Sequence, residues 1–384
     1  MSLFQLSPSK FYDYGIFPRS YSLFNLPGSN VEILSDAELQ RLIPGRKVCT
    51  RIISWNIGLK SLDSNVDVFK LVFQSKTQQN NFDLIIINLQ EIRKKHNDIF
   101  ISFQSTLGLN YTLVFNYCHG ALLTLIFVKR EYIWALSKPK YDYLTIKHSI
   151  KTKGVIILSF YFFGTLIIVL NNHLSAHENH ATKRLIQIKR IEKKLQDFIQ
   201  KNYKDNEPDF IFWSGDFNSR SREKRNNVED ILLKLPSNKI FQKLLNIDEL
   251  YNAMNEFEIL KNFSEGKINF YPTYKFDRNS NIYDTSKKNR VPSYTDRIFF
   301  YQKLIGTLYC LDYMSIENYT ISDHKPIYGT FSLQLKAINT EQAFELAYGK
   351  FDRNTFKKGH EMRIFSMLNE LHQDSESKKR CIIV

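Results

Sequence analysis

Five short segments place carboxylates, carboxamides and histidines immediately after apolar runs. Asn56 follows Ile52-Ile53-Ser54-Trp55, and Glu91 follows the run from Leu84 to Gln90. His173 opens His-Leu-Ser-Ala after Leu166 to Asn172. Asp216 and Asn218 sit in Gly215-Asp216-Phe217-Asn218, and Asp323 and His324 in Ser-Asp-His-Lys-Pro. Phosphate ester hydrolysis calls for such groups. The reaction is very slow in water, because an anion must be attacked at phosphorus while an alkoxide leaves. A catalyst needs a cation on the phosphate, an acceptor for a proton of the attacking water, and positive donors where charge develops. Each segment alone is a weak signal, since Gly-Asp-x-Asn is more often a turn and a strand-end Glu more often a surface residue. Their order, Asn…Gln-Glu…His…Gly-Asp-x-Asn…Ser-Asp-His, is far more specific than any one member.

The apolar runs read as buried strands whose ends deliver polar side chains to one rim. The stretch from Val155 to Leu170 imitates a membrane span but is a little short for one. It is rich in β-branched and aromatic residues and is broken by Gly164-Thr165, so it reads as two strands with a tight turn. So short a connection demands antiparallel pairing, which makes the sheets mixed rather than wholly parallel. After Ala181, the residues Leu185, Ile188, Ile191, Leu195, Phe198 and Ile199 recur at helical spacing. Residues 1–46 read as an extension punctuated by Pro18, Pro27 and Pro44, and 47–336 as the domain carrying the motifs. Residues 337–373 read as helical and 374–384 as a basic tail.

At 384 residues, with 43% hydrophobic and 14% aromatic content, the chain has ample material for a large α/β core. Disorder throughout is excluded. A formal net charge of +14 implies an acidic partner: nucleic acid, an anionic membrane or a phosphorylated ligand. None of the four cysteines, Cys49, Cys118, Cys310 and Cys381, forms a Cys-x-x-Cys pair. That fits a reducing compartment better than a disulfide framework or zinc ribbon. The first 30 residues lack the uninterrupted apolar core of a signal peptide.

In order and content these motifs resemble the endonuclease/exonuclease/phosphatase superfamily. A further block narrows the resemblance: Tyr271-Pro272-Thr273-Tyr274-Lys275-Phe276, then Tyr283-Asp284-Thr285-Ser286, then Arg290-Val291-Pro292-Ser293-Tyr294-Thr295-Asp296-Arg297-Ile298. It resembles the signature of the inositol polyphosphate 5-phosphatases and, with the motifs above, spans residues 49–335. The resemblance implies a four-layer α/β sandwich of the DNase I-like kind, two mixed sheets face to face with helices outside. It implies magnesium-dependent removal of the 5-phosphate from a phosphoinositide, foremost phosphatidylinositol 4,5-bisphosphate, or from a soluble inositol polyphosphate.

The family's roles carry over residue by residue. Glu91 is expected to bind Mg2+, a hard cation that prefers oxygen. Asn56 would help place metal and scissile phosphate, with Asp323 a lesser metal candidate. Asp216 would accept a proton from the attacking water, oriented by Asn218. His324 would pair with Asp296, which keeps it charged, and His173 would contact the phosphoryl oxygens. Tyr274, Lys275, Lys288 and Arg290 match positions that grip the 4-phosphate, and Arg297 and Lys153 complete the expected substrate contacts.

Departures are visible too. The family's Asn-Lys-Gly is Thr152-Lys153-Gly154 here, which keeps the lysine and loses a carboxamide. Its Trp-Cys is Tyr294-Thr295, expected to lie beside the site rather than in it. His173, His177 and His180 do not form the His-Glu-x-x-His zinc motif, and His177 and His180 are expected in a loop. The chain ends Lys378-Lys379-Arg380-Cys381-Ile382-Ile383-Val384, which matches a prenylation box with basic residues beside it. That predicts action of a prenyltransferase on Cys381 and peripheral attachment to an anionic cytosolic membrane face. A monomer is expected, and no nucleic acid partner. Two rivals stand against this reading: a nuclease of the same superfamily, and a non-catalytic phosphoinositide-binding module.

Overall fold

In the computed structural model, Gly154–Phe162 (β6) and Thr165–His173 (β7) are antiparallel strands. They are joined by Phe163 and Gly164, both at positive φ (48° and 73°), as the favoured two-residue hairpin turn requires. The structure describes residues 40, 43–60, 67–74, 81–94, 96–146, 152–204 and 206–336. Most of the N-terminal extension, the helical reading of 337–373 and the tail with Cys381 lie outside the described residues.

The remaining strands are β1 (Lys47–Asn56), β2 (Leu84–Gln90), β3 (Tyr111–His119), β4 (Leu122–Lys129), β5 (Lys140–Thr145), β8 (Phe210–Asp216), β9 (Ser264–Glu265), β10 (Asp296–Gln302), β11 (Leu308–Ser315) and β12 (Ile327–Gln334). They form two six-stranded mixed sheets, in the orders β11-β12-β1-β2-β4-β3 and β5-β6-β7-β8-β10-β9. In each, one central pair is parallel: β1 with β2, and β7 with β8.

Period-two alternation explains the layers. Ile52, Leu84, Ile86, Val169, Phe212 and Ile298 point inward and fill the core between the sheets. Their neighbours Ile53, Ile85 and Ile87 face outward beneath α1 (Val68–Phe73) and α2 (Asn97–Leu107). On the other sheet, Ile157, Ile168, Ile211 and Trp213 face α3 (Ala181–Tyr203) and α6 (Glu249–Glu256). The helix read after Ala181 is α3, and its buried face is Ile188, Ile191, Leu195 and Phe198. Each such side chain contributes about 1.5–3 kcal/mol on burial. Two shorter helices, α4 (Arg225–Lys234) and α5 (Ser237–Asn246), precede α6.

Followed toward the rim, the same inward positions turn polar. Asn88 donates to Ser214 Oγ at 2.7 Å across the sheets, and Gln90 Nε2 to Asn171 Oδ1 at 2.8 Å. Thr124 donates to Asn88 at 2.8 Å, and Asn171 reaches the carbonyls of Leu89 and Leu123. Above this buried amide tier stand Asn56, His173, Asp216 and Asp296. Strand register sets them side by side: His173 is paired with Asp216, and Asp296 with Asp216. Gly215 is at φ 146°, and a Cβ there would come within 2.1 Å of the Asn172 carbonyl, so the position before Asp216 takes only glycine.

Candidate active site

Asp216 lies at the centre. Its Oδ2 accepts from Asn56 Nδ2 at 3.0 Å and is 3.1 Å from His173 Nε2 and 3.9 Å from His324 Nε2. Its Oδ1 accepts from the Asn218 backbone N–H at 2.8 Å. Burial would raise this carboxyl. The surrounding donors, His173 first and then His324 and Lys153, outweigh burial and hold it well below the ordinary carboxylate range. Asp216 is therefore ionised at any working pH.

His324 is fixed from three sides. Its Nδ1 is 3.0 Å from Asp296 Oδ2, its carbonyl accepts from Trp55 Nε1 at 3.0 Å, and its backbone N–H reaches Ser322 Oγ at 3.2 Å. Burial would lower its pKa, but the charge and hydrogen bond of Asp296, then Asp216 and Asp323, push it up to about 10. The ring is an imidazolium. Asp296 is held in turn by Thr273 Oγ1 at 2.6 Å and Thr295 Oγ1 at 2.8 Å. Thr295, expected beside the site, is thus within it, and also lies 3.3 Å from His324 Nδ1. The strand pattern gave no sign of this, because a residue at a strand's start can bond its own neighbour's side chain.

His173 is fully buried and held neutral by burial and by the adjacent Lys153 ammonium. Lys153 Nζ contacts His173 Nε2, so the structure brings Lys153 into the site although the carboxamide before it is gone. His177 and His180 lie in the loop after β7, as expected, with their rings 5.4 Å apart.

Asp216, Asp296 and His324 cluster within 4.8 Å of one another, a spacing that could hold a metal. A charged imidazolium is no ligand, however, and His324 is already engaged, with Nδ1 3.0 Å from Asp296 Oδ2 and Nε2 3.9 Å from Asp216 Oδ2. Glu91 fits better. Its carboxylate, 34% exposed, pairs with no described lysine or arginine and has His173 at 3.8 Å. Asn56 ends the parallel strand beside it, paired with Gln90. The Asn56 side-chain Oδ1 accepts from the Gly58 N–H at 3.0 Å and keeps a second lone pair. This hard-oxygen pair suits a hard divalent cation. Asp323 does not fit as well: its carboxylate is taken by Lys275 at 3.2 Å and Arg278 at 4.0 Å.

The expected phosphate cations surround the same rim. Lys275 is held by Asp323, Arg290 Nη1 lies 3.1 Å from Glu178, and Lys288 is exposed on the 286–289 turn. The Tyr274 ring packs 4.5 Å from that of His324. Arg297 is a correction. It is 0% exposed and bound to Asp248 Oδ1 at 3.0 Å and to Glu265 Oε1 at 2.6 Å. Adjacent strand residues face opposite sides, so with Asp296 turned into the sandwich, Arg297 must point outward beneath α6 and β9. It is a structural cation with no surface to offer a substrate.

The profile of endonuclease/exonuclease/phosphatase family 2 matches residues 53–330. Mouse (Mus musculus) inositol polyphosphate 5-phosphatase K is 30% identical, with 82% of this chain and 72% of the relative aligned. The chain belongs to endonuclease/exonuclease/phosphatase family 2, among the inositol polyphosphate 5-phosphatases. Mouse phosphatidylinositol polyphosphate 5-phosphatase type IV is 34% identical across 90% of the chain, which spans about half (54%) of that relative's length. The crystallised 5-phosphatase domain of SPsynaptojanin, in complex with inositol (1,4)-bisphosphate and a calcium ion, superposes with TM-score 0.62 at 20% identity. That match covers 87% of this chain and 93% of the domain, and it supports the two-sheet fold. Within the family frame, Arg220, Thr273 and Thr295 join the polar groups beside the site that the motifs alone did not single out.

Proposed function

We propose that this 5-phosphatase family member hydrolyses the 5-phosphate of phosphoinositides, foremost phosphatidylinositol 4,5-bisphosphate, or of soluble inositol polyphosphates, with Mg2+ as cofactor. The observation that carries the reading is the convergence of Asn56, His173 and His324 on one ionised oxygen of Asp216. In water-mediated attack, Asp216 would accept the hydrogen bond of the incoming water and then its proton. The imidazolium of His324 would donate from Nε2 toward charge developing on the phosphoryl group. Lys153 and His173 supply further positive and polar edge. The products are inorganic phosphate and the ring 5-hydroxyl.

Magnesium, when bound, would polarise the phosphoryl oxygens and acidify water, held by Glu91 and Asn56. Tyr274, Lys275, Lys288 and Arg290 would take the neighbouring 4-phosphate, exchanging Asp323 and Glu178 for a dianion. Attachment through a prenyl group on Cys381, with Lys378 to Arg380 against an anionic leaflet, belongs to the same reading and would bring the site to lipid substrate. The test is phosphate release across a panel of inositol lipids and soluble inositol phosphates, with and without magnesium. Release confined to substrates carrying a 5-phosphate, and abolished by chelation, supports the proposal; cleavage of DNA or no release from any inositol phosphate overturns it.

A further inference from the structure

The Asn218 carboxamide has both ends committed. Arg220 Nη2 donates to its Oδ1 at 2.5 Å, and its Nδ2 donates to the Leu174 carbonyl at 3.1 Å. Reversing the amide would set NH2 against a guanidinium and carbonyl against carbonyl, so the orientation is dictated from two sides. One N–H of Asn218 is left for the reacting groups. Arg220 itself is 5% exposed, its Nε is buried with no hydrogen-bond partner, and no described carboxylate pairs with it. Its guanidinium centre lies 4.4 Å from the centroid of the Tyr274 ring, the ring that also packs against His324. Its backbone is pinned, the carbonyl accepting from Glu249 N–H at 2.8 Å. A buried cation without a countercharge is costly, and an anion arriving nearby relieves that cost.

We propose that Arg220 is a positioning residue through which the phosphate beside the scissile one raises turnover. The bound dianion at Tyr274 supplies the countercharge that the buried guanidinium lacks. The guanidinium, so held, fixes the Asn218 amide in its working orientation. The coupling is energetic and reciprocal: the filled phosphate pocket steadies the catalytic amide, and the ordered amide favours the filled pocket. This inference rests on the 5-phosphatase reading above and adds a link between its two phosphate positions.

The experiment uses the full chain with magnesium and two soluble inositol phosphates, one bearing vicinal 4- and 5-phosphates and one lacking the 4-phosphate. For the wild type, kcat, and not only KM, is expected to be higher with the vicinal phosphate. Arg220→Gln removes one charge-assisted hydrogen bond and should lower that kcat roughly ten- to hundredfold, while the kcat for the simpler substrate falls much less. Arg220→Lys keeps the charge but loses the planar fork, so KM should hold while kcat falls. If Arg220→Gln does not fold, Tyr274→Leu should equally bring the two kcat values together. Equal wild-type kcat values, or an equal loss on both substrates, would overturn the link while leaving the phosphatase reading standing. No phosphate release from either by the wild type would overturn both.

Discussion

His324 Nδ1 lies 3.0 Å from Asp296 Oδ2 in a fully buried pair, and this contact sets the charge of the ring facing Asp216. The folded pKa of about 10 is above the unfolded value of about 6.5. A raised histidine contributes stability that is complete below about pH 6.5 and is lost as pH climbs toward 10. Activity that needs the imidazolium should fail on the same alkaline side. In Asp296→Asn, burial is no longer opposed by that partner, so the alkaline limb of kcat against pH should move several units toward neutrality. An unmoved limb would show that another group sets it.

Asp216→Asn keeps shape while removing the ionised oxygen on which Asn56, His173 and His324 converge. Turnover is expected to fall by about 10²–10⁴-fold, with binding of a soluble inositol phosphate largely kept. Rapid-quench phosphate release and titration calorimetry measure the two separately. Near-normal turnover in a variant that melts like the wild type would remove Asp216 from the role of proton acceptor.

Arg290 and Glu178 make an opposed pair of predictions. Arg290→Ala, like Lys275→Ala, should cost about ten- to hundredfold in kcat/KM for substrates with a 4-phosphate and much less for those without. Glu178→Gln frees Arg290 from its carboxylate and should lower KM for the 4-phosphate class. Uniform effects across both substrate classes would place these residues in general electrostatics only.

Arg297→Met tests the corrected placement. Removing one partner of a buried ion pair leaves Asp248 and Glu265 uncompensated, which costs about 3–5 kcal/mol. A large drop in Tm is expected, with KM of the folded protein unchanged. A raised KM with unaltered Tm would return Arg297 to the substrate pocket.

Cys381→Ser should shift tagged protein from the membrane to the soluble fraction of eukaryotic cells, with hydrolysis of a soluble inositol phosphate unchanged. A single lipid chain binds membranes only marginally, so neutralising Lys378, Lys379 and Arg380 should give part of the same defect. Equal membrane association of mutant and wild type would dismiss the terminal tetrapeptide as an anchor.

The strand ends were legible because apolar runs stop where a polar triplet starts, and the hairpin at Phe163-Gly164 because only a tight turn fits there. The convergence of Asn56, Glu91, His173, Asp216 and His324 on one rim follows from those ends. Arg297 sits inside the motif that carries Asp296, but strand parity puts its side chain on the opposite face of the sheet, so motif membership does not locate it. Asp323 and Glu178 were not foreseen as partners of Lys275 and Arg290, since pairs 48 and 112 residues apart depend on how loops from different strands meet. Arg220 was invisible for a similar reason: its importance lies in the Tyr274 ring, which the chain brings back 54 residues later.

The amide tier beneath the rim has a bearing on how the two halves of the sandwich find each other. Apolar faces slide: Ile against Val at one offset is nearly as good as at the next. Asn88 on Ser214 and Gln90 on Asn171 do not, because a displacement of a few ångströms strands buried donors on both sides. The tier therefore works as an alignment key between two independently twisted sheets. One sheet carries Asn56 and the other Asp216, and their 3.0 Å contact exists only at the keyed offset. Removing the whole tier, with Asn88, Gln90, Thr124, Asn171 and Ser214 replaced together by apolar residues of similar size, would leave the two halves without that key, and catalysis would fall with no catalytic residue changed.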